Sequence, residues 1–149
     1  MRDILFRGKR TDTGTWIEGY YIYLHKTTYC CEVSEKRDEE NEIHQIVFER
    51  MTDWNLPNQH LRADVDPETV GQYTGITDKN GRKIYEGDIL EGLNGAARMV
   101  VFFAEITGYG YGFQWRPVKG GGLFESMTGF ADEYAVIGNI HDNPELLDP

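Results

Sequence analysis

The chain has two cysteines, Cys30 and Cys31, and they are adjacent. Neighbouring cysteines fit disulfide geometry poorly, and two thiols are too few for a cysteine-only zinc site. They read as reduced thiols in a strand and point to a reducing, intracellular setting. Serine is almost missing: Ser34 and Ser126 stand alone, and neither sits in a G-x-S-x-G elbow. A phosphate loop, a dinucleotide fingerprint and an H-E-x-x-H pair are also missing. No apolar run reaches the ~18 residues of a membrane span. Ile4-Leu5-Phe6 is too short for the apolar part of a signal peptide. Basic residues are outnumbered, with 15 Lys and Arg against 25 Asp and Glu and a net charge of −10. Such a field repels phosphate backbones at long range, so nucleic acid is not a favoured partner, although a local basic patch stays open.

What is abundant is strand and turn material. Of 149 residues, 40% are hydrophobic and 13% aromatic, chiefly 9 Tyr and 7 Phe, and 17 are Gly. That suffices for one domain or two small lobes, rich in strands and tight turns. The chain is organised around Val70–Leu90, VGQYTGITDKNGRKIYEGDIL. Val70–Thr77 reads as a strand interrupted by Gly71 and Gly75. Asp78-Lys79-Asn80-Gly81 is the strongest hairpin turn, since Asn80-Gly81 tolerates the left-handed angles that match strand twist. Arg82–Tyr85 returns with Ile84 toward the core. Gly87-Asp88 forms a second tight turn, in which Asp88 can accept backbone N–H groups. Gly75, Asn80, Gly81, Gly87 and Asp88 are accordingly read as turn residues.

Elsewhere, Ile4–Lys9 and Thr15–Leu24 form a hairpin about Thr11–Gly14, and Thr27–Val33 is a third strand candidate. Ser34–Asn41 is a charged loop tip. Glu42–Phe48 resumes the strand pattern, with a helical turn as the alternative. Glu49–Pro67 has no sustained period and reads as a connector folded over the core. Arg98–Phe103 is apolar on both faces and central. Ile106–Trp115 alternates Gly with aromatics, and Glu133–Ile140 is the last strand, burying Val136 and Ile137. Asn94-Gly95 and Gly120-Gly121-Gly122 are turns, Phe124–Phe130 has no clear assignment, and Pro144–Leu147 starts a short helix docked by its leucines.

Chemical signals are weak. His141-Asp142-Asn143 offers an imidazole beside a carboxylate, but a strand end followed by a helix cap explains it equally. Glu86, Asp88 and Glu91 are close enough in sequence to hold a divalent cation, yet the turn already explains Asp88. His25, His44, His60 and His141 form no i, i+4 pair, which leaves only a site assembled across strands. Tyr109, Tyr111, Phe113 and Trp115 share one strand face, suited to base stacking or to a core or subunit contact. Arg2, Arg7, Lys9 and Arg10 are four of the 15 basic residues, and they read either as an anion-binding edge or as a charged edge strand.

The segments MRDILFRGKR, WIEGYY, VDPETVGQYTGITDKNGRKIYEGDIL and VIGNIHDNPELL resemble the YopX family of phage and prophage proteins. Thr27–Pro57 and Gly92–Glu133 carry no signature of that family. The resemblance implies a β-rich fold, an SH3-like barrel in the C-terminal part, homo-oligomeric assembly and a place in the cytoplasm of a bacterial host. It implies no activity and supplies no site residues.

The expected fold is therefore mostly β. Residues 1–66 form a smaller N-terminal β lobe and connector. Residues 67–149 form an SH3-like small barrel with a short C-terminal helix, and helices are few and short. The expected function is a non-enzymatic, self-associating interaction module with a phage or host protein partner, and without cofactor, metal or membrane. One alternative is a nucleic-acid-binding small barrel using Arg2, Arg7, Lys9, Arg10, Lys79, Arg82 and Lys83. The other is a metal-dependent hydrolase using His141 with Asp88.

Overall fold

The computed structural model describes residues 3–27, 41–92, 98–106, 110–119, 125–126 and 133–147. Arg2, Cys30, Cys31, the strand expected beyond Thr27, the charged tip up to residue 40, Asn94-Gly95, Tyr109, Gly120-Gly121-Gly122 and most of Phe124–Phe130 lie outside them. The described residues form eleven strands, short 3-10 turns and no α-helix, so the fold is mostly β. They divide into two compact units, Leu5–Val70 and Gly71–Pro149, the latter joined by Met1–Ile4.

The first unit is an antiparallel sheet in the order β4-β3-β2-β1. Its strands are β1 (Phe6–Lys9), β2 (Trp16–His25), β3 (Glu42–Arg50) and β4 (Gln59–Asp64). The sheet curls at β2. Residues 16–19 of β2 pair with β1, ending at Phe6↔Gly19, and residues 20–25 pair with β3, starting at Tyr20↔Val47. The far end of β1 meets the residue after β4 through the bridge Arg10↔Val65, and Thr11 N donates to Asp64 O at 3.1 Å. Ile46, Ala63 and Val65 are buried, and Gly8 leaves room for the first and third of them, since a Cβ there would lie 3.1 Å from each.

One expectation holds in this unit and one changes. Glu42–Arg50 is strand throughout, as the sequence pattern indicates, and the alternative of a helical turn falls away. The Glu49–Pro67 connector does not fold over the core: it contains β4, and its residues 51–58 form an exposed hairpin loop. β4 escapes a hydrophobic pattern because it is an edge strand, QHLRAD, in which only Ala63 is buried.

The second unit contains the hairpin β5 (Gly71–Thr77) and β6 (Lys83–Tyr85). It also contains a five-stranded antiparallel sheet in the order β10-β9-β8-β7-β11. Those strands are β7 (Asp88–Gly92), β8 (Arg98–Ile106), β9 (Gly110–Pro117), β10 (Glu125–Ser126) and β11 (Tyr134–Asn139). The core is Ile84, Leu90, Val101, Trp115 and Val136, with Tyr134 set edge-on to Trp115 at 4.6 Å. The sheet is open among the described residues, so no closed SH3-like barrel is formed. Ile137 is on the surface rather than buried, because successive strand side chains point to opposite faces and its neighbour Val136 fills the core side.

The hairpin turn differs in detail from the Asn-Gly expectation. Gly81 takes a left-handed φ of 79°, while Asn55 is the only described non-glycine that does so, which excludes Asn80. Asp78 N donates to Arg82 O at 2.8 Å, leaving a three-residue loop that ends in a left-handed glycine. Gly75 and Gly87 have φ of 89° and 81°. The C-terminal segment is a single 3-10 turn, Pro144–Leu147. It packs close to Gly138, where a Cβ would lie 2.5 Å from Asn143 Oδ1 and 2.9 Å from Leu146 Cδ1.

Candidate functional site

The densest polar cluster is assembled across two strands of the first unit. Alternation along β2 puts Tyr21, Tyr23 and His25 on one face, and pairing brings Tyr23 opposite His44 and His25 opposite Glu42 of β3. Glu42 Oε2 lies 3.1 Å from His44 Nε2, so the carboxylate fixes the tautomer with the proton on that nitrogen. His44 Nδ1 is then left to accept from the Tyr21 hydroxyl at 2.5 Å. The Tyr23 hydroxyl donates to Glu42 Oε1 at 2.8 Å, and His25 Nε2 approaches the same hydroxyl at 3.3 Å. The rings pack as well, with Tyr23 centred 5.1 Å from both His25 and His44, and Tyr21 5.5 Å from Phe6.

This arrangement resembles an acid–imidazole–hydroxyl relay, but its groups are already engaged. Both nitrogens of His44 have partners, and the side chains of His44 and Glu42 are largely buried. Burial, and then the charge of Glu42, hold the Tyr21 phenol above its ordinary range, which disfavours the phenolate a nucleophile would need. The cluster therefore serves first to fasten β2 to β3. A phenol raised in the folded state gives stability that is complete below its ordinary range and is lost as pH rises through the folded value. Glu42→Gln is expected to bring Tyr21 ionisation back toward the tyrosine norm, read by ultraviolet difference titration. An unchanged Tyr21 midpoint would show that Glu42 does not act on it.

The basic residues named from sequence fall into two groups. In the first unit the Arg7 guanidinium lies 4.9 Å and the Lys9 ammonium 5.9 Å from the Trp16 ring centre. Arg10 instead turns to Asp12, its Nε donating to Oδ1 at 2.8 Å. In the second unit Lys79 and Arg82 are exposed, and Lys83 Nζ lies 6.0 Å over Tyr73. Arg7 and Lys9 thus share one indole, while Arg10 is held away by a carboxylate.

The acidic residues of the second unit are likewise separated by their partners. Tyr85 N donates to buried Asp88 at 2.8 Å, Phe103 N donates to Glu86 at 3.2 Å, and Glu91 faces Arg98 at 3.4 Å. At the end of β11 it is Asn139 that organises the turn, its Oδ1 accepting from His141 N at 3.0 Å and from Asp142 N at 2.9 Å. Among the described residues no three His, Cys, Asp or Glu side chains come together as a metal site.

Exposed large apolar residues occur at Ile4 and Ile137, along β2 at Tyr20, Tyr23 and Leu24, and in two further places. β8 pairs with β9 from Met99 to Ile106, but β7 covers only Arg98–Val100 and β10 only Gln114 and Trp115, so among the described residues the two strands continue beyond Phe102 as a two-stranded ribbon. Along its face Trp115 enters the core, Phe113 packs edge-on to Phe103 at 5.1 Å, and Tyr111 stacks on Phe103 at 6.1 Å. Phe103 is 46% and Tyr111 73% exposed. The other place is the β3–β4 loop, where Met51, Trp54 and Leu56 are exposed and Trp54 reaches 92%. The sequence shows both aromatics and loop, but which of them escape the core depends on where β7 stops and where β4 begins.

Comparison with known proteins agrees with this fold. No curated protein is similar enough to count as a relative. The solved structure of protein EF1440 from Enterococcus faecalis is similar in fold, with a TM-score of 0.51 over 99% of this chain and 100% of that one, at 23% identity. The family model described as YopX protein matches residues 5–148, and the chain belongs to the YopX family.

Proposed function

We propose that this YopX-family chain is a non-enzymatic interaction module, carried by phage or prophage in the bacterial cytoplasm, that self-associates through the β8–β9 ribbon. The observation behind this reading is the stacked, exposed pair Phe103 and Tyr111 on strands that outrun β7. We read the second unit as an open relative of the SH3-like barrel, because the β5–β6 turn is tied to β11 by the bond from Lys79 N to Tyr134 O.

The occupant of the ribbon face is a second copy. Phe103 and Tyr111 are partly exposed and Phe113 less so, so of the about 150–250 Å² that each aromatic can bury, the three together offer roughly 300 Å² per copy. A standard interface uses about 800 Å² per partner, so the ribbon suits a weak, reversible dimer. Glu105 lies opposite Tyr111 near the outer end of the ribbon. An antiparallel two-fold crossing keeps the two Glu105 carboxylates apart while the aromatic pairs meet.

Light scattering and sedimentation between ~1 and ~300 µM test this, a range that brackets weak micromolar contacts. The wild type is expected to move from monomer to dimer across the range, and the double variant Phe103→Ser, Tyr111→Ser to remain monomeric while still melting cooperatively, at a modestly lower temperature because Phe103 loses its packing on Phe113. A wild type that stays strictly monomeric removes self-association from the reading.

A further inference from the structure

The β3–β4 loop carries a second surface, in the other unit, that the ribbon does not explain. Its eight residues, Met51–Asn58, are all exposed, and three of them are Met51, Trp54 and Leu56. The loop is nevertheless built. Leu56 N donates to Asp53 O at 3.2 Å, closing a tight turn with Trp54 and Asn55 at its centre. Asn55 has φ 65°, the left-handed angle that the third residue of a type II turn requires. Trp54 N donates to Asp53 Oδ1 at 2.7 Å, and Thr52 Oγ1 to Pro57 O at 3.2 Å. At the stem Asn58 Nδ2 donates to Glu49 at 3.2 Å and Arg50 Nη2 to Gln59 Oε1 at 2.8 Å. The turn thus presents an indole, a thioether and an isobutyl group on a backbone that is already ordered.

We infer that this loop is an anchor for a protein partner that offers an apolar cleft with a cationic rim. Three considerations select that occupant. Trp is among the residues that dominate binding energy, and a pre-ordered turn reduces what binding must immobilise. A loop-to-loop dimer would bring together the exposed Asp53 carboxylates beside each Trp54, on chains that each carry a net charge of −10. Charge excludes phosphate-bearing surfaces: the chain has a net charge of −10, and residues 5–70 hold 13 Asp and Glu against 8 Lys and Arg. An anionic lipid or a nucleic acid is repelled at the approach, whereas a basic rim is attracted.

The inference adds to the proposed function without needing self-association, and one experiment separates the two. The full chain is used as bait in a bacterial extract. Any species retained is identified and purified, and its affinity is measured against wild type, Trp54→Ala, Asn55→Val and the ribbon double variant. Trp54→Ala is expected to weaken binding at least about 30-fold, the loss of one hot spot. Asn55→Val keeps every apolar group but strains the turn, and is expected to weaken binding several-fold. Raising salt is expected to slow association. The ribbon variant binds each site as the wild type does, even where it no longer dimerises. The inference is overturned if Trp54→Ala binds as tightly as wild type, or if the extract yields no species that wild type retains and Trp54→Ala does not. Trp54-dependent binding to phosphatidylglycerol vesicles, or Trp54-dependent dimerisation, overturns it in favour of a lipid surface or a second copy.

Discussion

Replacing Asp78 with alanine is expected to remove about 4 kcal/mol of unfolding free energy, nearly all of it from the second unit. Asp78 is 4% exposed, and three backbone N–H groups converge on its carboxylate. Asn80 N and Arg82 N donate to Oδ1 at 2.8 and 2.9 Å, which shapes the β5–β6 turn. Val136 N donates to Oδ2 at 3.0 Å from buried β11. Together with the bond from Lys79 N to Tyr134 O, that contact occupies the side of β11 that β7 leaves bare. Without the carboxylate the Val136 N–H is a buried donor with no acceptor, at about 1–3 kcal/mol, and two charge-assisted turn bonds are lost as well. Asp78→Asn keeps one acceptor oxygen but turns an NH₂ toward a donor, so an intermediate loss is expected.

The same carboxylate sets a pH dependence. Burial alone would raise Asp78, but the bonds from Val136, Arg82 and Asn80 outweigh it and hold the group below the ordinary carboxylate range. A depressed group contributes stability that is present above its unfolded value, about 3.9, and is lost as pH falls through the lower folded value. Urea midpoints at pH 7 and at a series of pH values below 4 check both points. The wild type should lose stability over the acid range, and Asp78→Ala should start lower at pH 7 and fall less steeply. A variant that matches the wild type at pH 7 would show that water replaces the carboxylate, and that β11 needs no such cover.

Much of this frame is legible in the sequence, for a physical reason. Runs rich in aromatic and β-branched residues, such as Trp16–His25 and Arg98–Ile106, favour strands, and glycine marks the tight turns at residues 81 and 87. β4 is illegible because an edge strand with one buried residue needs no apolar pattern. For Val136 and Ile137 the pleat lets only one of two adjacent apolar residues face the core, and which one is decided by the pairing of Val136 with Leu90. Asp78 reads as a turn residue from its neighbours, but its bond to Val136, 58 positions away, is a tertiary fact. The Tyr21–His44–Glu42 cluster hides for a related cause. Its members repeat with period two on separate strands, and only the register Tyr23↔His44 brings them together. Trp54 looks like core material until β3 and β4 are seen to pair and lift its loop clear of the sheet.

Gly19→Ala is the companion test in the first unit, and a loss of about 3 kcal/mol or more is expected, enough to leave that unit unfolded at 37 °C. Gly19 is the last residue of β2 paired with β1, and Tyr20 is the first paired with β3. At that change of partner the β3 backbone presses on the glycine. An added Cβ would overlap the Val47 carbonyl oxygen and approach Ile46 Cγ2 to 2.9 Å. A flexible side chain could swing aside, but a carbonyl within a ladder cannot move without breaking the pairs Tyr20↔Val47 and Tyr21↔Ile46. Those pairs support buried Ile46 and hold Tyr21 against His44, so the damage spreads to the core and to the polar cluster together. The two units carry separate reporters: Trp16 on β2 and Trp115 in the second core. In single-tryptophan versions, the Trp16 signal of Gly19→Ala should be that of unfolded chain at low urea, while the Trp115 transition persists. Coincident loss of both signals would mean that the second unit cannot fold without the first. An unshifted Trp16 transition would mean that β3 yields at Val47, and that the curl of this sheet does not depend on the missing side chain.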